Sequence, residues 1–470
     1  MPFPNTVTAE ARRSLVGVSF HPYWLDRPER PAPRPPLTQE ISADLLVVGG
    51  GFSGLWTAYQ ARQRFPDWHV VLVEGDRIAE GATGRNGGFV AASLTHGMAN
   101  GLNRWPADMV TLTRLGQENL EAIDRTVQAE GIECDFLRSG EIHVATEDWQ
   151  VREMQALPDI AAQLGGSEEF LDGDAVRALV HSPTYLGGAR DRHSVAMVDP
   201  AQLAWGLAAA CERHGVDIYE GTRITKLESD DTAMRATTDF GTVRAARVAL
   251  ATSAYPPLLR RISQYVVPVY DSVLMTEPLS EQQRDAIGWR DRFGMADGGN
   301  QFHYYRMTED GRILWGGYDA SYYGGFDPRH ERQGAPFLRL AEHFRYTFPQ
   351  LEGVRFTHAW AGAIDTCSRF SAFWGTAHAG RVAYSVGFTG LGVGASRFGA
   401  NVMLDLLSRQ QTERTALAMV RTKPLPFPPE PLRGLGIGIT RRAIDRADRN
   451  AGRRGLWLRT LDRVGLGFDS

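Results

Sequence analysis

The segment from Asp44 to Glu74 restricts the fold more than any other part of the chain. Asp44-Leu-Leu-Val-Val48 is an apolar run without alternation, as expected of a strand buried on both faces of a parallel sheet. Gly49-Gly50-Gly51-Phe52-Ser53-Gly54 follows at once, then Leu55 to Arg64 at helical spacing, closed by Pro66-Asp67. His69-Val-Val-Leu-Val73 reads as a second buried strand, ending at Glu74. This is βαβ order within about 30 residues.

The spacing of the glycines has a chemical meaning. Gly49 permits the tight turn, Gly51 lets backbone touch a pyrophosphate, and Gly54 lets the helix sit close on the strand. Phe52 and Ser53 open the helix, whose first N–H groups and partial positive charge suit an anion. Glu74, twenty residues past Gly54, stands where a carboxylate accepts both ribose hydroxyls and repels a 2′-phosphate. A second dense loop, Gly81-Ala82-Thr83-Gly84-Arg85-Asn86-Gly87-Gly88, comes seven residues later. An NAD enzyme has no need of it. FAD does, because its ribityl–isoalloxazine arm runs past closely approaching backbone.

The rest of the chain is organised around this unit. Residues 1–40 are a lead-in, proline-rich from Pro28 to Pro36. Helices are expected over 106–130, from Asp199-Pro200 to about Gly215, over 337–348 and over 395–407, and a hairpin over Phe136–Ala145 turning at Ser139-Gly140. Strands are expected at 216–219, around Ile224, and over 243–251, 356–365 and 382–386. Antiparallel pairing is expected for 266–276 and 302–317, the latter turning at Glu309-Asp310-Gly311. The class is α/β: a discontinuous FAD-binding Rossmann-like domain (41–95, 196–263, 354–410) with an inserted α+β substrate domain on an antiparallel sheet (96–195, 264–353). Residues 411–470 form a proline-rich linker and a basic tail, with nine arginines against three aspartates between 433 and 463. Such a tail is expected to pack on its own domain or on a partner subunit of a homo-oligomer; resting on a membrane surface is the other reading.

Composition narrows the function. A net charge of −4 gives no support to a nucleic-acid reader. No run approaches the ~18 apolar residues of a membrane span, and the first twenty residues lack a signal peptide's apolar region. Cys134, Cys211 and Cys367 make no metal spacing and read as free thiols in the cytoplasm. Only two lysines occur, Lys226 and Lys423.

In its motifs the chain resembles the D-amino-acid-oxidase-like family of FAD-dependent oxidoreductases, and within it the γ-glutamylputrescine oxidase branch. The matching residues are Tyr23-Trp24-Leu25-Asp26, the Gly81–Gly88 loop with Thr83 at a serine position, and Ala251-Thr252-Ser253-Ala254-Tyr255. Further on they are Trp360, Gly362 and Asp365 on one strand, and the turn Gly387 to Gly394. They run in order from about residue 20 to 408. The resemblance implies FAD contacts from Ile224, Ala251, Thr252, Gly362, Asp365, Gly390, Leu391, Gly392 and Val393. Two departures stand out. Gly390-Leu391-Gly392 replaces a frequent Gly-His-Gly, and Cys367 lies beyond the position used for covalent flavin, so FAD is expected to be non-covalent.

The expected chemistry is hydride transfer from the α-carbon of a small amine or amino acid to flavin N5, giving an imine that hydrolyses. The helix opening after Gly390–Gly394 would favour flavin reduction, with Arg85 and Asn86 near N5. Strand alternation puts His303, Tyr305 and Met307 on one face and Phe302, Tyr304 and Arg306 on the other, and leaves open which face meets the flavin. His303, Tyr305, Arg306 and Trp360 are the candidate catalytic residues, with Trp315, Tyr318 and Trp360 as an aromatic box for a cation. O2 is the expected acceptor. The resemblance implies an oxygen-activating lysine in some relatives, but neither lysine here is placed for it. Oxidation of a 2-hydroxy acid or amino acid, with Arg306 clamping the carboxylate, is the alternative; a non-catalytic flavin-binding subunit is the other class of reading.

Overall fold

A computed structural model describes residues 3–230, 232–463 and 465–467. The βαβ unit forms as expected: Glu40–Val48, a helix Phe52–Arg64, and Val70–Val73. These strands pair in parallel, and the apolar run is fully buried from Leu45 to Val47. Parallel strands bring Thr242–Leu250 and Val382–Val386 to one side and Val216–Tyr219 to the other. Phe373–Ala377 closes one edge in the antiparallel sense, and Lys226–Ser229 and Met234–Thr237 pair antiparallel beside Thr242–Leu250. The result is an eight-stranded sheet assembled from distant pieces of chain.

A second eight-stranded sheet has the order Phe356–Thr366, Val267–Thr276, Ile313–Gly317, His303–Met307, Gly294–Asp297, Glu141–Ala145, Gly187–Asp191, Glu168–Asp172. It is antiparallel except where Gly294–Asp297 runs parallel to Glu141–Ala145. The helix Gly334–Thr347 packs on it, with Phe337, Leu340, Phe344 and Phe348 buried.

Several boundaries differ from the sequence reading. Phe136–Ala145 is not a hairpin: Glu141–Ala145 is one strand, held by Gly187–Asp191 and Gly294–Asp297, while Leu137 bridges Met197. The partners are far away in sequence, so a local turn signal does not report them. Phe356–Thr366 belongs to the second sheet, paired along its length with Val267–Thr276, rather than to the nucleotide sheet. The helix Met109–Ala129 packs on the nucleotide-side helix Gly392–Leu407, where Asn119 Nδ2 donates to the Gly394 carbonyl at 2.9 Å. Its amphipathic period is legible in sequence, but the face it chooses is not.

The lead-in is structural. A short helix Ala9–Ser14 docks on Gly334–Thr347, where the Glu342 carboxylate accepts from Thr8 N at 2.8 Å and Thr8 Oγ1 at 2.7 Å. Trp24 is buried with its indole donating to the Asn86 carbonyl at 2.8 Å. After the prolines, two tail helices form, Leu432–Asp448 and Leu456–Arg463. No helix among the described residues is long and apolar enough to cross a membrane.

Candidate active site

The two sheets meet around one cavity of about 1570 Å³, larger than the roughly 300–1,000 Å³ usual for a single small ligand. Its first wall is the glycine turn. Gly49 has φ +115°, and a Cβ there would stand 2.5 Å from the Ala251 carbonyl oxygen. A Cβ on Gly54 would stand 1.9 Å from the Gly49 carbonyl oxygen, so the helix rests directly on the turn. Gly51 caps that helix without a side-chain hydrogen bond. Phe52 N donates to Thr83 Oγ1 at 3.0 Å, which ties the two glycine loops together. At the strand end, Glu74 accepts from Gly50 N at 2.6 Å and Asp76 N at 2.8 Å. Burial raises its pKa above the ordinary carboxylate value, partly offset by those two N–H groups.

The second loop is held from outside by two indoles. Trp24 Nε1 binds the Asn86 carbonyl, and Trp360 Nε1 binds the Arg85 carbonyl at 2.9 Å. Asn86 folds its side chain back, donating to Thr83 O at 2.7 Å and accepting from Gly88 N at 2.8 Å. Arg85 reaches Glu331 at 3.2 Å. The third wall is the late turn: Asp365 Oδ2 accepts from Gly387 N at 2.7 Å, and burial pushes the Asp365 carboxyl up to about 6. The helix Gly392–Leu407 then begins at Leu391 without a side-chain cap.

Gly49, Gly51, Phe52, Ser53, Glu74, Ala82, Thr83, Arg85, Asn86 and Gly87 all line the cavity. So do Ile224, Ala251, Thr252, Gly362, Asp365, Gly390, Leu391, Gly392 and Val393. Gly54, Gly84 and Gly88 stand behind the wall: a Cβ at Gly84 would meet the Ala79 carbonyl oxygen at 2.5 Å, and one at Gly88 the Val198 carbonyl oxygen at 2.2 Å. Three buried hydroxyls on the wall, Ser53, Ser385 and Ser396, have no hydrogen-bond partner among the described residues. Uncapped helix starts and orphaned hydroxyls around backbone-lined grooves fit a long polar cofactor. Cys367 also lines the cavity, its thiol 3.1 Å from the Ser371 carbonyl oxygen and its pKa raised by burial.

The four candidate catalytic residues stand away from the cavity wall. His303 is fully buried, 2.5 Å from Asp297 Oδ2 and 2.9 Å from His343 Nδ1, in the core beneath the second sheet. His343 in turn lies 3.1 Å from the Pro4 carbonyl oxygen, and burial next to His303 pushes its pKa down to about 2. Tyr305 shares that face, buried against Tyr185 at 2.8 Å. Arg306 lies on the opposite face, but its guanidinium binds the carbonyls of Gly88 and Val198 and approaches Asp135. Trp360 supports the second loop from behind. None of these four lines the cavity, and of the expected aromatic box only Tyr318 does.

The inward residues of that strand are Phe302 and Tyr304. Tyr304 lies over Gly87 and Gly316, where a Cβ on either would approach its ring to 2.7 Å. Its hydroxyl donates to Asp271 Oδ2 at 2.6 Å. Asp271 also lines the cavity; burial pushes its carboxyl up to about 6, against the stabilising effect of the Tyr304 hydroxyl. A single aspartate within the apolar strand Val267–Thr276 was the sequence signal for it. The roof was missed as well: Phe427, Ile437, Thr440, Ile444, Trp457 and Leu461 of the tail line the cavity.

Comparison with known proteins places this architecture. The family model for FAD dependent oxidoreductases (DAO) matches residues 44–406. The chain belongs to that family. It is 31% identical over 420 residues to γ-glutamylputrescine oxidoreductase of Escherichia coli K12, covering 86% of this chain and 92% of that protein. It is 24% identical over 366 residues to the sarcosine oxidase subunit beta of Rhizobium meliloti, covering 75% and 79%. Glycine oxidase from Geobacillus kaustophilus has the same fold, with a TM-score of 0.66 at 19% identity over 81% of this chain and 99% of that one. The protein is therefore an FAD-dependent oxidoreductase.

Proposed function

We propose that this family member oxidises the C–N bond of a small amine or amino acid, with non-covalent FAD and with O2 as the acceptor. The observation that carries the reading is the Asp271–Tyr304 pair, a half-buried carboxylate and phenol facing the same cavity as the glycine walls. The names of relatives support it: γ-glutamylputrescine oxidoreductase, sarcosine oxidase subunit beta and glycine oxidase all refer to amines or amino acids.

When bound, FAD supplies the two-electron acceptor for hydride from the substrate α-carbon. The chain supplies the rest. Gly49, Gly51 and the start of the helix Phe52–Arg64 would hold the pyrophosphate, and Glu74 the adenosine ribose. Near the second sheet, Asp271 attracts the substrate ammonium. Burial raises this carboxyl and lowers the pKa of an ammonium brought beside it, which brings a proton transfer from nitrogen to Asp271 closer to balance. The amine is then neutral, as loss of hydride from its α-carbon requires. Tyr304 fixes the carboxylate, while Phe302, Tyr304 and the tail helices keep bulk water out. Water hydrolyses the released imine to a carbonyl compound and an amine or ammonia.

The test is anaerobic mixing of the yellow holoprotein with γ-glutamylputrescine, sarcosine, glycine and 2-hydroxy acids, following the flavin band. Bleaching by an amine, and peroxide when air returns, is expected. Bleaching by hydroxy acids alone, or by dithionite alone, contradicts the proposal.

A further inference from the structure

The first tail helix, Leu432–Asp448, has two different faces. Arg433, Gly436, Ile437, Thr440, Arg441 and Ile444 look inward and line the cavity. Asp448 locks the far end, accepting from Asn300 Nδ2 at 2.6 Å and Gln301 N at 3.0 Å. The outward stripe, at alternating spacings of three and four, is Leu432, Leu435, Ile439, Arg442, Arg446 and Arg449. Its leucines are 60% and 59% exposed and Ile439 46%. The second helix continues the pattern, with Leu456 81% exposed beside the exposed Arg459 and Arg463. Apolar anchors and arginines thus lie together on one outer surface, in a chain whose net charge is −4.

We propose that this outer surface of the tail docks on an anionic lipid surface, in the interfacial plane. The charge distribution argues for that occupant. Arg442, Arg446 and Arg459 have no carboxylate partner among the described residues, and arginines flanking exposed leucines suit lipid phosphates and the acyl boundary. A second copy of the chain fits less well. A parallel pairing of the stripes sets arginine against arginine, and an antiparallel one buries arginine on leucine. The helix also carries Gly434, Gly436 and Gly438, and nothing lies within 4 Å of where side chains at Gly436 and Gly438 would stand. Glycine is a weak helix former, so this helix depends on what its faces bury rather than on propensity. Docking leaves the inward face, and so the roof of the cavity, in place.

Full-length holoprotein is sedimented with phosphatidylglycerol or phosphatidylcholine vesicles at low and high salt. Binding to phosphatidylglycerol only, reversed by salt, is expected. Combined Arg442→Gln, Arg446→Gln and Arg459→Gln should weaken that binding roughly 100-fold, at the usual strength of arginines near such a surface, and Leu435→Ser with Leu456→Ser should weaken it too. Unchanged flavin content and circular dichroism confirm that the variants are folded. Equal binding to both lipids, no binding at low salt, or native binding by the triple variant would overturn the proposal. So would a dimer, seen by light scattering without vesicle binding, that the triple substitution dissolves.

Discussion

At the scale of single residues, Asp271 belongs to the cavity and His303 to the packing behind it. Asp271 is held near 6 by burial, above its ordinary value of 3.8. Below pH 4 it is protonated folded or unfolded and costs nothing. As pH rises through 4 to 6 the unfolded chain ionises first, so the native state loses stability, by about 3 kcal/mol in full above pH 6. Asp271→Asn should therefore raise stability at pH 8 by up to about 3 kcal/mol in denaturant melts, and show no gain near pH 3.5. The same change should lower kcat/KM at least tenfold and replace the inflection near pH 6 by a steady rise with pH that follows the amine's own deprotonation. His303 has a structural place, fully buried between Asp297 and His343 and off the cavity wall. His303→Leu leaves the Asp297 carboxylate with only the backbone N–H of residue 303 and should cost about 3 kcal/mol, visible as a lower Tm. Sequence alternation separated His303 from Tyr304 correctly. It carried no sign of which face met the cavity, because both faces of this strand are buried and both bear aromatic residues.

At the scale of elements, legibility followed the range of the interactions. The glycine turn could be read because its demands are local: Gly54 has no room for a Cβ beside the Gly49 carbonyl. Gly54→Ala should push the helix off the turn, and the purified variant is expected to lose most of its FAD, measured as flavin absorbance per chain. Full flavin content would mean the helix does not set the cradle. The strand Glu141–Ala145 was misread as half of a hairpin, since its partners at Gly187–Asp191 and Gly294–Asp297 are non-local. The strand Phe356–Thr366 was found in place, but its partner Val267–Thr276 was not legible: Gly362 and Asp365 line the cavity from the second sheet.

At the scale of the whole molecule, the discontinuous nucleotide sheet was legible because its central strands carry short apolar runs, Leu45 to Val48, Val70–Val73 and Val248 to Leu250. The tail was not, because its helix has a polar, glycine-interrupted sequence whose inward face is defined only by the cavity beneath it. Deleting residues 424–470 should open the cavity to water, with faster FAD release and a higher KM, while the two sheets keep their circular dichroism. Unchanged FAD release would show that the helices roof nothing of consequence.

The most direct measurement is single-turnover anaerobic reduction of the native protein and Asp271→Asn by the same amine across pH 5 to 9. Rapid bleaching of native flavin that levels off above pH 6 is predicted, with slow bleaching of the variant that keeps rising toward pH 9 as the free amine loses its own proton. Equal rates and equal pH profiles in the two proteins would contradict the assignment of the cavity carboxylate as the group that receives the amine.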